Sequence, residues 1–262
     1  MPFARLKERS VYFERHGSGE PVLLVSGLGA DHSAWQPEVA ALQSSFEVVV
    51  FDNPGVGQTT GPDGPFTSEL LADVAVELLD HLGLERAHVV GASMGGIIAQ
   101  QIALRHPSRV RALALHCTWP RADGYLTALF RSLQACAAVL SPLELSRQIW
   151  LFVYTYGFFE RTRDELEAAV LSNPHPQSAR GFCDQAEACI THDVLDRLGE
   201  IRSPTLITVG EADLLAPPYH SLAIKERLPR ALLHTWPRMG HAPFWEIPDE
   251  FNELNRCFLE AN

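Results

Sequence analysis

The stretch whose reading decides the fold is His88-Val89-Val90-Gly91-Ala92-Ser93-Met94-Gly95-Gly96-Ile97-Ile98. A short apolar run enters Gly-x-Ser-x-Gly, and a segment rich in helix formers leaves it. Strand, abrupt turn and helix in that order place Ser93 on a tight, strained corner, with its hydroxyl projecting clear of the backbone. Such a corner brings chain segments too close for side chains at the flanking positions, which fits glycine at 91, 95 and 96. Gly and Ser also crowd ordinary turns, so the motif gains meaning only from the flanking strand and helix and from partners elsewhere in the chain.

Working outward, residues 10–17 and 22–27 read as strands joined by Gly17-Ser18-Gly19-Glu20. Val22-Leu23-Leu24-Val25 is apolar throughout, the pattern of a strand buried on both faces. It runs into Ser26-Gly27-Leu28-Gly29, where glycines at a strand's carboxyl end suit a backbone that approaches a ligand closely; an ordinary flexible loop is the competing reading. Residues 34–43 read as a helix, Val48–Phe51 as a buried strand ending in the Asp52-Asn53-Pro54-Gly55 turn, and 67–82 as a helix with Leu71, Val74, Ala75, Leu78, Leu79 and Leu82 on one stripe. The helix after Ser93 extends to about 105, and His106-Pro107 stops it before a strand at Val110–Cys117. Further strands follow at Pro204–Gly210 and Ala231–Trp236, and residues 248–260 close the chain as an amphipathic helix. Strands alternating with helices predict a mostly parallel α/β sheet built from right-handed crossovers.

The rhythm breaks at residues 119–197, which are rich in helix formers and punctuated by Pro142, Pro174 and Pro176. Within them Trp150-Leu151-Phe152-Val153-Tyr154-Thr155-Tyr156-Gly157-Phe158-Phe159 alternates its aromatics at period two, as a strand would. The surrounding composition favours a helix apolar on all sides. Aromatic stripes mostly pack as core, yet Trp150, Tyr154 and Phe158, with Phe244 further on, are the candidates for walling an apolar ligand cavity.

The 262 residues carry a formal charge of −11, and nothing resembles a basic stripe, which argues against nucleic acid and anionic membrane surfaces as partners. With 46% hydrophobic residues the chain has enough apolar material for a sizeable core. Five scattered cysteines form no zinc spacing and no CxxC pair, so no metal site is expected and reduced thiols are the default. No apolar run approaches membrane-spanning length and the N-terminal segment lacks the apolar core of a signal peptide, so a cytoplasmic protein is the expectation.

Taken together, Gly27–Gly29, Asp52–Gly57, Gly91–Gly96, Gly210–Asp213 and Gly240-His241 resemble the α/β-hydrolase fold superfamily over nearly all of the chain outside residues 119–197. The resemblance implies an eight-stranded, mostly parallel sheet flanked by helices, with residues 1–118 and 198–262 as the core domain and 119–197 as an inserted helical lid. It also implies a catalytic triad in the order Ser93, Asp213, His241. The residue types suit the chemistry. A serine hydroxyl needs a neighbouring base, a histidine supplies one near neutral pH, and a carboxylate fixes its tautomer. The family's spacing selects Asp213, with Glu211 as runner-up; His32 is read as lining or structural, Trp35 as packing, and Asp52 with Pro54-Gly55 as the floor of the site. The backbone N–H groups of Met94 and Leu28 are the implied oxyanion hole.

Within the superfamily the resemblance is to small serine esterases and lactonases, including enol-lactonases and acyl-homoserine lactonases, which implies a cofactor-free attack on a small-molecule ester or lactone. Carbon–carbon hydrolysis of a vinylogous diketone, perhydrolysis, and a ligand-binding receptor that has kept the fold are the alternatives. A monomer and a homodimer are equally compatible with the sequence.

Overall fold

Residues 2–262, the part of the chain described by the computed structural model, form eight strands and ten α-helices. The strands are β1 (Phe3–Arg5), β2 (Ser10–Gly17), β3 (Glu20–Val25), β4 (Phe46–Phe51), β5 (Ala87–Ala92), β6 (Val110–His116), β7 (Thr205–Gly210) and β8 (Leu232–Trp236). They form one sheet in the order β1-β2-β4-β3-β5-β6-β7-β8, antiparallel where β2 meets β1 and β4, parallel from β4 through β8. This is the eight-stranded, mostly parallel sheet expected from the sequence. The short β1, unmarked by any sequence signal, adds an edge through Ala4, which is fully buried against the core.

The period-two geometry of a strand explains why the central segments are apolar throughout. Leu23 and Val25 of β3 enter one core with Val49, Val89 and Leu113, while Val22 and Leu24 enter the opposite one with Val48, Val50 and Ala114. Two helices cover the first face: α2 (Ser68–His81), started by Thr67 capping the Leu70 N–H, and α3 (Met94–Arg105). The second face is covered by α1 (Gln36–Leu42), which follows a 3₁₀ turn at His32–Trp35, and by α10 (Pro248–Glu260). Each fully buried Leu, Val or Ile contributes about 1.5–3 kcal/mol relative to exposure, so the sheet is a rigid platform for whatever projects from its carboxyl edge.

Between β6 and β7 the chain forms four helices: α4 (Gly124–Ala137), α5 (Pro142–Val153), α6 (Tyr156–Ser172) and α7 (Ala179–Thr191). The expected all-apolar helix through residues 150–159 does not exist. The segment is broken, with Tyr154 and Thr155 both extended (ψ 150° and 152°) between α5 and α6. Nor is it apolar on all sides, since Leu151 is 58% and Tyr156 81% exposed. The break has a tertiary cause. The Val153 carbonyl, which a continuous helix would pair with a following N–H, accepts instead from the His241 N–H at 2.8 Å. Thr155 meanwhile gives both its N–H and its hydroxyl to Glu246.

Between β7 and β8 lies α8 (Tyr219–Arg227), and the four-residue α9 (Pro243–Glu246) precedes α10. Among the described residues no helix is long and apolar enough to cross a membrane.

Candidate active site

Ser93 sits between β5 and α3 with φ 57° and ψ −121°, a conformation that costs a non-glycine residue on the order of 1–3 kcal/mol. Its backbone is pinned on both sides. The N–H donates to the His116 carbonyl at 2.9 Å, and the Ser93 carbonyl accepts from the Thr118 hydroxyl at 2.8 Å. A serine at a helix N-cap ordinarily turns its oxygen onto the first-turn N–H groups, but it does so from an extended backbone. Ser93 makes no such cap, and its side chain lines a cavity instead. Gly95 permits the close seating of this turn: a Cβ there would stand 1.8 Å from the Val25 carbonyl oxygen of β3.

His241 follows β8 and lines the same cavity. Its Nδ1 lies 2.8 Å from Oδ2 of Asp213, whose side chain is fully buried in the turn after β7. The other carboxylate oxygen, Oδ1, accepts from the N–H groups of Leu215 at 2.9 Å and Ala216 at 2.8 Å, so Asp213 has one fixed orientation. Nδ1 is thereby committed to the carboxylate, which leaves Nε2 as the second polar atom of the ring. The runner-up acid, Glu211, is exposed and accepts from the Arg238 N–H. It takes no part in the cluster.

Among the described residues, His241 is the one histidine in the lining of the cavity. Desolvation pushes His88 down to about 4 and both His116 and His192 down to about 3, so these stay neutral core residues. His32 faces carboxylates at both ring nitrogens, Asp52 at 2.7 Å and Glu14 at 3.5 Å, which leaves none for a substrate. Asp52 itself, fully buried, accepts from the N–H groups of His32 and Gln58 and so braces the turn after β4.

Met94 and Leu28 flank Ser93 from α3 and the loop after β3. Among the described residues neither backbone N–H has a protein acceptor. The Met94 N–H opens α3, so the positive end of that helix faces the turn.

The cavity measures about 760 Å³, within the range that takes a drug-sized ligand. Trp150, Tyr154, Phe158 and Phe244 all line it, with the rings of Tyr154 and Phe158 packed at 4.9 Å between centroids. Trp35 does two things: it is buried against Phe244 at 5.8 Å, the packing role expected, and it also faces the cavity.

Two residues had no sequence signal. Glu246 accepts from the Gly240 N–H as well as from Thr155, tying the break between α5 and α6 to the backbone before His241. No spacing rule marks a glutamate five positions after a histidine for such a task. Cys117, at φ 49° beside Asp213 and His241, is held as a neutral thiol by burial and by the Asp213 charge, both of which push its pKa well up. It packs against the cluster as a small apolar group.

Residues 20–248 match the alpha/beta hydrolase fold family model. The chain belongs to that family. A putative carbamate hydrolase RutD from Azorhizobium caulinodans is 32% identical over 97% of this chain and 96% of its own length. Among solved structures, the enol-lactonase from Burkholderia xenovorans LB400 superposes with a TM-score of 0.90 at 26% identity, over 99% of this chain and all of the other. Est816, described as an N-acyl homoserine lactone degrading enzyme, gives 0.83 at 26% identity, over 98% of this chain and all of the other. Both kinds of lactonase to which the sequence motifs point are thus among its structural relatives.

Proposed function

We propose that this hydrolase cleaves a carboxylic ester or lactone through an acyl-enzyme formed on Ser93. The observation that carries the reading is a serine on a strained turn, with its hydroxyl free of capping, sharing a cavity with a histidine whose Nδ1 is held by a buried carboxylate.

In this mechanism His241 Nε2 takes the Ser93 hydroxyl proton as Oγ attacks the scissile carbonyl. The N–H groups of Met94 and Leu28 receive the oxyanion, and the α3 dipole adds to their effect. Collapse of the tetrahedral intermediate passes the proton to the leaving alkoxide, and water then repeats the cycle in reverse roles. Asp213 holds the imidazole in the tautomer that the first step needs. The helices α4–α7 serve as a lid, with Trp150, Tyr154, Phe158 and Phe244 walling the acyl or ring moiety.

The whole-length similarity to a putative carbamate hydrolase favours one second reading, in which the attacked carbonyl belongs to a carbamate. The serine chemistry is the same. Ser93→Ala tests both: turnover of p-nitrophenyl esters or carbamates should fall at least about 10³-fold, and a fluorophosphonate should label the parent on the Ser93 peptide only. Activity within about tenfold of the parent would sink the assignment.

A further inference from the structure

The cavity wall is one-sided in charge. Its lining contains two carboxylates, Asp31 and Glu165, and, among the described residues, no lysine or arginine. Of the three amide side chains in the lining, Gln36 is exposed and has no protein partner among the described residues, whereas the other two direct their donors at protein acceptors. Gln177 gives its Nε2 to the Gly55 carbonyl at 3.0 Å and to Gln185 Oε1 at 2.9 Å. Asn173 directs its Nδ2 at Asp31. Backbone carbonyls set these orientations, since the Gln185 Nε2 is itself held by the Pro54 carbonyl at 2.8 Å. Gln177 is thus left with its oxygen turned outward, 3.2 Å from where a Cβ on Gly29 would stand. Two of the lining hydroxyls do the same: Ser33 donates to Asp31 and Thr162 to the Phe158 carbonyl. Tyr154 offers a neutral donor, kept neutral by a pKa pushed up to about 12 through burial and the nearby Glu246 charge.

Away from the oxyanion amides, a bound molecule therefore meets apolar surface, a few neutral donors such as Tyr154, hydrogen-bond acceptors and negative charge, with no lysine or arginine among the described residues to pair an anion. A carboxylate carried into such a space loses its water and gains no counter-charge. We infer that the site selects acyl groups whose far end is uncharged or cationic and rejects those ending in a carboxylate. This rests on the ester-hydrolase reading above and adds the substrate's charge class to it.

The test compares kcat/KM for p-nitrophenyl hexanoate, the mono-p-nitrophenyl ester of adipic acid and a trimethylammonium-terminated acyl ester of equal length. Each is normalised to its own hydroxide-catalysed rate. The adipate half-ester should be at least about 100-fold poorer than the hexanoate, and the cationic ester within about tenfold of it. Glu165→Lys, at an exposed position of α6, should narrow the hexanoate-to-adipate ratio at least about fivefold; an unchanged ratio would overturn the assignment of discrimination to this wall. Turnover of the adipate half-ester within about threefold of the hexanoate would overturn the charge selection and leave the serine-hydrolase reading standing. No turnover of any ester, with no fluorophosphonate labelling of Ser93, would overturn both.

Discussion

Replacing Asp213 by Asn changes one atom of the side chain, and the hydrogen bonds around it dictate what that atom does. Oδ1 accepts from the Leu215 and Ala216 N–H groups at 2.9 and 2.8 Å. An amide NH₂ placed there would confront two donors and leave them unpaired, at about 1–3 kcal/mol each. The amide oxygen therefore stays on the backbone pair, and the NH₂ is forced to face His241 Nδ1, 2.8 Å away in the parent. Nδ1 must then act as an acceptor, so the neutral ring carries its proton on Nε2. That nitrogen can no longer take the proton from Ser93. Inversion of the tautomer in a serine–histidine–aspartate site lowers kcat about 10⁴-fold, equivalent to roughly 5.5 kcal/mol in the barrier.

The assay is ester turnover by Asp213→Asn beside Glu211→Gln, with thermal unfolding of both. The Asn variant should lose about four decades of kcat with a smaller change in KM and remain cooperatively folded, because its packing volume and the hydrogen bonds donated by the Leu215 and Ala216 N–H groups are kept. Glu211→Gln, at the exposed carboxylate, should match the parent within about twofold. A loss below about tenfold for Asp213→Asn, or equal losses for the two variants, would refute the assignment of Asp213 as the tautomer-setting acid.

Two further outcomes follow from burial and close contact. Glu38 of α1 is 2% exposed, neither carboxylate oxygen has a partner, and burial pushes it from 4.5 up to about 8. The folded chain thus keeps a proton that the unfolded chain releases, so its contribution to stability is intact below pH 4.5 and is lost as pH rises towards 8. At about 1.4 kcal/mol per pH unit the full loss has a ceiling of roughly 5 kcal/mol. Glu38→Gln should therefore gain stability relative to the parent between pH 5 and 8.5 in urea titrations, and a constant difference across that range would contradict the buried-acid assignment. Gly95→Ala drives a methyl to within 1.8 Å of the Val25 carbonyl and should cost about 3 kcal/mol or more. Gly124→Ala meets nothing within 4 Å and should stay within about 0.5 kcal/mol, so calorimetry showing equal effects would refute the clash.

What was legible in the sequence was whatever depends on short-range periodicity and on backbone requirements. Leu23 and Val25 facing one core while Val22 and Leu24 face the other is the direct consequence of an apolar run in a two-residue period. Gly91, Ser93 and Gly95 declared a turn too tight for side chains, and the turn is there. The inserted helices were less legible because their boundaries are partly set by distant groups. Ser141 and Glu144 form a capping box that marks the start of α5 locally, but its end depends on His241 and Glu246, nearly a hundred positions away. Local composition around Trp150–Phe159 favours a continuous helix, and tertiary hydrogen bonds break it.

That break links the two halves of the site. The sheet supplies the turn holding Ser93 and the turn holding Asp213, both at the carboxyl edge of parallel strands and neither dependent on α5 or α6. His241 differs, because its own N–H is held by Val153 at the end of α5. Gly240, just before it, is pressed so closely on that end that a Cβ would stand 2.7 Å from the Val153 carbonyl oxygen. Glu246 then bonds both sides of the junction, Thr155 on the inserted helices and Gly240 on the core. A displacement of the end of α5 would therefore take the acceptor from His241 and shift the imidazole relative to Ser93. The same segment carries Trp150 and Tyr154 into the cavity, so these lining residues share a backbone anchor with the proposed base. Changes in the inserted helices that alter substrate fit near this junction should thus alter kcat along with KM, whereas changes at Glu165, ten residues further along in α6, should act on selectivity alone.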